Sequence, residues 1–557
     1  MKFIKEGLIF IFSIILFLCC DVVNHDLEQA KKTIVAETFA AAVATLSSDE
    51  FEGRLPSSPG EDKTIAFLKE KFSALGLQPG NGNSFFQEVP LVGITSSEDL
   101  KMKVSGANFS KTLAFQKEFM AWTKRVIGVS SLNSSEIVFV GYGAIAPEYA
   151  WNDYQDVDVK GKTVVILVND PGYATQDSTL FNGNAMTYYG RWTYKFEEAA
   201  RQGAAGAFIV HENEAAGYPW EVVSGSWSGK QFDLVNADNN MSRCAIEGWL
   251  SWETATQLFQ GAGLDLATLK ESAKSVDFKA VSSGLKSTVK VNNNVEQLRS
   301  QNVVAMIPGA VRPDEVVIYA AHWDHFGKVA GMAGDNIYNG AFDNATGTAA
   351  LLEIAKAFMT LKTKPERTII FLAVTAEEQG LLGSRYYATN PVFPSNKTVA
   401  AINMDGMNVL GKMRDITVVG YGNSELEGYL EKAARRQGRT LRPDPEPQKG
   451  YFYRSDHFNF AKVGIPALYT DNGIEHVEHG ADWTLQQLAN YTAENYHKPS
   501  DEYNPDWDLT GAIDDMRLLF EVGYNLANAA VFPDWFEGNE FKAIRDADRN
   551  STSSAQK

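Results

Sequence analysis

The sequence of 557 residues predicts an α/β protein with a mixed, mostly parallel sheet that is covered by helices. Between residues 300 and 532, short apolar segments alternate with glycine-containing loops and helical patterns. These segments are apolar throughout, which indicates strands that are buried on both faces. We predict strands at NVVAMI, EVVIYAA, RTIIFLAV, TVAAINM, DITVVG and PALYT.

Two segments show the helical spacing of apolar residues. TIAFLKEKFSALGL, residues 64–77, approximates this spacing, and glycine and proline residues from Gly76 onward end it. TAALLEIAKAFMTL, residues 348–361, has an apolar face that predicts a helix covering the sheet.

A middle part of the chain differs from the rest in its residue pattern. From about residue 135 the chain combines short β-branched segments, a helical pattern and many glycines, which predicts a small separate unit. Its last part, residues 269–288, has the composition of a weakly ordered segment. Residues 541–557 are predicted to form a polar C-terminal tail.

The composition excludes one broad class of function. With 44% hydrophobic and 22% charged residues the chain is globular. Its formal net charge of −18 argues against a nucleic-acid partner, because such proteins present a basic surface.

The N-terminus predicts export. Residues 1–20 contain two lysines followed by an apolar run that is short for a membrane span, as in a secretory signal peptide. Cys19 and Cys20 at its end leave two destinations open: ordinary secretion, or a bacterial lipoprotein held to a membrane by an acylated cysteine. In both cases the protein would be periplasmic or extracellular. Only Cys244 remains after cleavage, so no intramolecular disulfide is expected.

Potential metal ligands follow several of the predicted strands. In an open α/β sheet, ligands bind beyond the carboxyl ends of the strands. Imidazole and carboxylate groups at those ends together suit zinc, although each of them alone would be an ordinary structural residue. The groups concerned are His322, Asp324, His325, Asp343, Glu377, Glu378, Asp405 and, near the C-terminus, Tyr496 and His497.

These residues lie in an ordered set of motifs that resembles the family of co-catalytic dizinc aminopeptidases. That family also contains glutamate carboxypeptidase and the non-catalytic transferrin receptor ectodomain. The resemblance implies the phosphorylase/hydrolase-like zinc-peptidase fold. A small protease-associated β/α domain at 115–295 would be inserted between the two parts of the peptidase domain, 36–114 and 296–540. The matching motifs are HWDHFG (322–327), GAFDNATG (340–347), TAEEQGLLGS (375–384), NMDG (403–406), RSDHFNFAKVGIPA (454–467) and YHKPSDE (496–502).

The resemblance implies two Zn²⁺ ions per chain and a role for each ligand. Asp343 would bridge the two ions, His322 and Asp405 would complete one site, and Glu378 and His497 would complete the other. Cobalt or manganese would suit similar ligands.

The resemblance also assigns residues around the metals. The carboxylate of Asp324 would orient the imidazole of His322, and the peptide bond after Asp343 would be cis.

The implied reaction is hydrolysis of the peptide bond next to a free N-terminus. Glu377 would be the general base, because a carboxylate that ligates metal is poorly placed to take a proton. Tyr496 would donate a hydrogen bond to the developing oxyanion, and Arg454 would contact substrate. Peptides with a free N-terminus are the expected partners, and a membrane would be involved only through a lipid anchor.

Other functions in this family remain open. A carboxypeptidase of the glutamate-carboxypeptidase kind uses the same metal ligands but also needs arginines to bind a C-terminal carboxylate. A glutaminyl cyclase would need only one zinc, and a receptor-like protein would be expected to lack ligands. The protease-associated domain would wall the cleft and restrict substrate length.

Overall fold

The computed structural model describes residues 25–329, 331–332 and 334–554, and side chains as far as residue 550. Within them the chain forms two compact units. Unit 1 comprises Met1–Val89, Ser300–Asp444 and Ser455–Lys557, whereas unit 2 comprises Pro90–Arg299 and Pro445–Arg454. The predicted signal peptide, with Cys19 and Cys20, lies outside the described residues.

Unit 1 is built on a mixed sheet that is flanked by helices. Its strands are β1 (Gln78–Pro79), β2 (Val281–Ile307, of which the last part belongs to unit 1), β3 (Arg312–His322), β4 (Arg367–Val374), β5 (Thr398–Asn403), β6 (Asp415–Val419), β7 (Thr440–Pro443) and β8 (Ala467–Asp471). Its helices are α1 (Ala36–Leu46), α2 (Pro59–Ala74), α3 (Thr346–Thr360), α4 (Leu382–Thr389), α5 (Leu426–Arg436), α6 (His457–Lys462), α7 (Gly480–Glu494), α8 (Thr510–Asn528) and α9 (Lys542–Ser554). None of the described helices in either unit combines the length and the apolar character needed to cross a bilayer.

The sheet of unit 1 has the strand order β1-β2-β4-β3-β5-β8-β6-β7. The central pairs β4/β3, β3/β5 and β5/β8 are parallel, as is β6/β7, whereas β1/β2, β2/β4 and β6/β8 are antiparallel. This arrangement confirms the predicted mixed, mostly parallel sheet covered by helices.

Burial on both faces explains the apolar character of the central strands. Successive side chains of a strand point to opposite faces. Val317 and Tyr319 of β3 therefore join the core beneath α1, α3 and α8. Val316 and Ile318 join a second core, which includes Phe460 of α6.

Unit 2 contains a sheet of its own. In sheet order its strands are Ser110–Ala114, Lys101–Ser105, the first part of β2, Val129–Phe139, Thr163–Leu167, Gly206–His211, Ile246–Ser251 and Phe119–Trp122. Phe86–Ser96, which begins in unit 1, pairs with Lys230–Leu234. The main helices are Trp192–Arg201, Trp220–Ser226, Trp252–Gly261 and Leu266–Ser272.

The predicted insert, 115–295, falls within unit 2, but the unit begins earlier, at Pro90, and also includes 445–454. The earlier boundary arises because Lys101–Ser105 pairs with β2 in the same sheet. The expectation of a weakly ordered stretch at 269–288 is wrong. Helix Leu266–Ser272 ends within it, and β2 begins at Val281 and runs on into unit 1.

The predicted polar tail at 541–557 forms a helix, α9, over its described part. Phe541, just before the helix, is 3% exposed, and Arg545 is fully buried. The Arg545 guanidinium donates to the carbonyl oxygen atoms of Ser395 and Thr398. One apolar and one cationic side chain thus hold a sequence of polar composition against unit 1.

Arg54 connects the N-terminal segment to the loops that follow β3. Its buried guanidinium donates to the carbonyl oxygen atoms of Leu46, Trp323, Asn339 and Gly340 at 2.6–2.8 Å. Burial lowers the pKa of Arg54 to about 10 despite the acids nearby, so the group remains charged at neutral pH. One side chain therefore serves as the donor for four buried carbonyl groups.

We expect Arg54→Met to lower the free energy of unfolding by about 3 kcal/mol or more, because buried carbonyl groups would lose their donor. Urea unfolding of the purified variant measures the loss. The matched control is Arg435→Met, whose side chain is 73% exposed and paired only with Glu431, and it should change the value by less than about 0.5 kcal/mol. Equal losses in the two variants would contradict the role of Arg54.

Candidate active site

The candidate residues meet because the central strands of unit 1 end at the same edge of the sheet. His322, the last residue of β3, pairs in register with Val374, the last residue of β4. Ala320 of β3 pairs with Asn403, the last residue of β5. The loops that follow β4 and β5 therefore begin beside His322.

Asn344 joins two of the loops that carry candidate ligands. Its amide nitrogen donates to the carbonyl oxygen of Met404 at 3.0 Å, and its amide oxygen accepts from the backbone of Gly406 at 3.0 Å. The Asp343–Asn344 peptide bond is cis, as the resemblance implies. The backbone beside Asp343 is thus tied to the backbone on both sides of Asp405.

Asp501 holds the other side of the Asp343 loop. Its two carboxylate oxygen atoms accept from the backbone N–H groups of Phe342 at 3.0 Å and Asp343 at 3.1 Å. The hydroxyl group of Tyr491 donates to the same carboxylate at 3.2 Å. Sequence reasoning assigned no role to Asp501, although it lies in the YHKPSDE motif.

The five candidate ligands converge as two groups that share Asp343. Nε2 of His322 lies 3.1 Å from Oδ1 of Asp405 and 3.3 Å from Oδ1 of Asp343. Nε2 of His497 lies 3.3 Å from Oδ2 of Asp343 and 3.3 Å from Oε2 of Glu378. The two oxygen atoms of Asp343 therefore face two different histidines.

These separations fit zinc. Bonds of about 2.0–2.2 Å to a tetrahedral ion place two ligand atoms about 3.3–3.6 Å apart. The distances of 3.1–3.3 Å between the ligand atoms agree with this spacing to a few tenths of an ångström. The donor set, imidazole nitrogen with carboxylate oxygen, is also the one that zinc prefers.

The electrostatics of the cluster point to a missing positive charge. Burial opposes ionisation of His322, but Asp405 and Glu377 outweigh it and raise the pKa of His322 well above its ordinary value. Burial likewise opposes ionisation of His497, whose pKa the surrounding acids, Glu378 first, raise to about 9. Burial and repulsion between neighbouring acids raise the pKa of Glu377 and Glu378. Divalent cations would supply the charge that these acids need.

The two adjacent glutamates point to different partners. Oε2 of Glu377 lies 4.0 Å from Nε2 of His322. Glu378 instead faces His497 with Oε2 and contacts Nδ1 of His325 at 2.6 Å with Oε1. One glutamate therefore lies beside one candidate metal position, and the other closes the second.

The carboxylate of Asp324 contacts the backbone of Glu377 rather than the imidazole of His322. Its Oδ1 accepts the backbone N–H of Glu377 at 3.0 Å and lies 3.9 Å from Nδ1 of His322. The nearer oxygen to that nitrogen is the backbone carbonyl of Asp324, at 3.1 Å. The loop conformation therefore orients His322, and the carboxylate of Asp324 fixes the start of the Glu377 segment.

Ser455 was not singled out by sequence reasoning. Its hydroxyl group donates to Oδ2 of Asp405 at 2.5 Å and accepts from the side-chain amide of Asn403 at 2.7 Å. A serine in a loop carries no signal of its own, and only its place in the RSDHFNF motif could have drawn attention to it.

Tyr496 and Arg454 lie in different units. The ring of Tyr496 stacks on His497 at 3.7 Å between centroids, and its side chain is 45% exposed. Partial desolvation and then the acids Asp343 and Glu378 raise its pKa, so the hydroxyl group stays a donor. Arg454 belongs to unit 2, where its guanidinium donates to a backbone carbonyl at 2.6 Å.

Comparison with known proteins gives matches of limited extent. Residues 302–520 match the sequence model described as Peptidase family M28. Aminopeptidase NAALADL1 of Mus musculus is 40% identical over 122 residues, which are 21% of this chain and 15% of that protein. A probable zinc metalloprotease of Leptosphaeria maculans is 36% identical over 215 residues, 37% of this chain and 48% of that protein. The matches thus span less than half of the length of these two relatives.

Among solved structures, the aminopeptidase from Aneurinibacillus sp. strain AM-1 aligns with 21% identity and a TM-score of 0.49, covering 91% of this chain and 97% of that chain. The family match is the more specific finding, because residues 302–520 contain the five candidate metal ligands together with Glu377 and Tyr496. By this match residues 302–520 are similar to peptidase family M28.

Proposed function

We propose that this chain is a two-zinc aminopeptidase, which removes residues from the free N-terminus of peptides. The match of residues 302–520 to peptidase family M28 and the match to a mammalian protein named as an aminopeptidase support the reaction class. The match to a protein named as a probable zinc metalloprotease supports the metal.

The geometry of Asp343 carries this proposal. A carboxylate that ligates one ion can use a single oxygen atom, whereas both oxygen atoms of Asp343 face imidazole nitrogen atoms of different residues at 3.3 Å. Each imidazole is paired with a further acid, Asp405 or Glu378. The donor set therefore favours two ions that share Asp343, rather than one.

Glu377 is proposed to move the proton. Two zinc ions held by these ligands would polarise the scissile carbonyl group and lower the pKa of a water molecule. Glu377 is not needed as a ligand, and its side chain is 10% exposed beside His322. Its carboxylate would accept a proton from the attacking water and then deliver it to the leaving amine.

Tyr496 is proposed to stabilise the transition state. It adjoins His497 in sequence, and its ring lies parallel to the imidazole within 27°. A protonated phenol beside the ligands can donate a hydrogen bond to the oxygen that gains charge as the carbonyl is attacked.

A carboxypeptidase is the second candidate, because two arginines of unit 2, Arg191 and Arg454, have no acidic partner among the described residues. Arg191 is 8% exposed, and its Nε forms no hydrogen bond within the described chain. Burial and then the positive charge of Arg454 lower the pKa of Arg191 to about 9. Neither arginine is paired with a carboxylate of the described residues, so the pair could bind the carboxylate of a ligand.

Substitutions of the two adjacent glutamates should have different effects, one on turnover and the other on zinc content. We expect Glu377→Gln to keep its zinc but to lose about 10³-fold in kcat, because only the proton carrier is removed. We expect Glu378→Ala to lose zinc, because one ligand is removed. Metal analysis of purified protein and steady-state kinetics measure the two effects. Near-normal turnover in Glu377→Gln would contradict the assignment of the base.

A substrate panel distinguishes the two candidate functions. As an aminopeptidase, the protein should hydrolyse aminoacyl p-nitroanilides with a free amine, fail on their N-acetylated forms, and lose activity with a chelator. Release of the C-terminal residue from N-blocked peptides, without cleavage of the free-amine substrates, would instead favour the carboxypeptidase.

Arg191→Met adds an independent arm to this panel. If the arginine pair binds a C-terminal carboxylate, the variant should raise KM at least tenfold for N-blocked peptides with a free C-terminus and not for their amides. The matched control is Arg201→Met, in the same unit and 52% exposed, where no such difference is expected.

A further inference from the structure

His325 is a buried residue of the site to which the proposed mechanism gives no task. It is fully buried, and its Nδ1 lies 2.6 Å from Oε1 of Glu378. Its other ring nitrogen, Nε2, is also buried and has no hydrogen-bond partner within the described chain. When Glu378 is ionised, as a metal ligand is, its carboxylate can only accept, so the hydrogen atom is then on Nδ1.

The position of this ring is fixed by its surroundings. A Cβ atom at Gly340 would lie 2.5 Å from Cγ of His325, so the backbone passes directly against the imidazole. Phe326 packs on the ring at 4.8 Å between centroids. The backbone N–H of His325 and the carbonyl group of Gly340 both contact Arg54. The imidazole therefore has little freedom to turn away from Glu378.

His325 is a donor to a ligand rather than a ligand itself. Its Nδ1 is occupied by Glu378, and its ring centroid lies 6.0 Å from that of His497.

Two of the three ligand carboxylates share a hydrogen-bonding pattern, and the third, Asp343, differs from them. Asp405 directs one oxygen atom to His322 and the other to the hydroxyl group of Ser455. Glu378 directs one oxygen atom to His497 and the other to His325. Asp343 directs both oxygen atoms to the two ligand histidines. Each carboxylate that would bind one ion thus has one oxygen atom held by the protein, whereas the bridging carboxylate has both free for metal.

We propose that His325 is a positioning residue, which holds Oε1 of Glu378 so that only Oε2 is presented to the metal shared with His497. His325 would hold one oxygen atom of Glu378 in the same way that Ser455 holds one oxygen atom of Asp405. The inference rests on the proposed two-zinc function. Donors to ligating carboxylates commonly contribute about 10–100-fold to metal affinity.

The test compares two substitutions of His325 by zinc titration against a chromophoric chelator, with zinc per chain measured by elemental analysis. His325→Leu removes the N–H donor and puts an apolar side chain of moderate size in place of the imidazole. His325→Asn retains an N–H donor near the position of Nδ1. The matched control is His211→Leu, a buried histidine of unit 2 whose Nε2 contacts the carbonyl oxygen of Tyr218.

We expect His325→Leu to weaken one of the two zinc sites at least tenfold, and His325→Asn and the control to stay within about threefold of the wild type. At saturating zinc, His325→Leu should recover most of its kcat. Wild-type affinity at both sites in His325→Leu would overturn the proposal. Equal loss in His325→Asn would also overturn it, because the imidazole itself would then be required.

Failure of the underlying function gives a different result. If the wild type binds one zinc per chain, the two-zinc proposal is wrong, whatever the His325 variants do. Thermal unfolding in the presence of chelator shows whether each variant is folded without metal. His325→Leu could be unfolded in the presence of chelator while His325→Asn is folded and binds zinc as the wild type does. That result would still assign the effect to the N–H donor at residue 325.

Discussion

Several carboxylates lie buried around two imidazoles at one edge of the sheet of unit 1, and the need to balance their charge governs the rest of the site. Uncompensated burial of one carboxylate costs several kcal/mol, and here acids from distant parts of the sequence share one place. The raised pKa values of Glu377 and Glu378 follow from this burial. A divalent cation would resolve the conflict, because it would attract every acid in the cluster at once.

The scaffold places these groups by means of strand register. The parallel strands β3, β4 and β5 end at the same edge of the sheet. His322 and the loops after Val374 and Asn403 therefore lie side by side at that edge. Buried polar side chains then fix the loops. Asn344 ties the loop of Asp343 to that of Asp405, and Arg54 ties the loops that follow β3 to the N-terminal segment. Ligand positions on such supports can be held within a few tenths of an ångström.

Individual oxygen atoms within the site have different tasks. Ser455 and His325 each occupy one oxygen atom of a ligand carboxylate, which leaves a single atom for metal. Within the part of the chain that the structure describes, no serine or third histidine donates to the side chain of Asp343, which faces both ligand histidines. In the proposed two-zinc site, the hydrogen bonds of the protein would therefore distinguish the terminal ligands from the bridging one, although all three are carboxylates.

The sequence by itself determined the fold class and the order of the reactive residues. Apolar strands such as RTIIFLAV carry their own signal, because burial on both faces demands apolar residues throughout. Motifs such as TAEEQ carry theirs because adjacent acids after such a strand need a counter-charge. Only the tertiary structure decided that 90–114 and 445–454 join unit 2 and that residues after 541 form a packed helix. It alone also showed that His325 and Ser455 support ligand carboxylates, because these contacts join residues 50 or more positions apart. Residue spacing encodes local geometry, whereas such contacts exist only once the chain has folded.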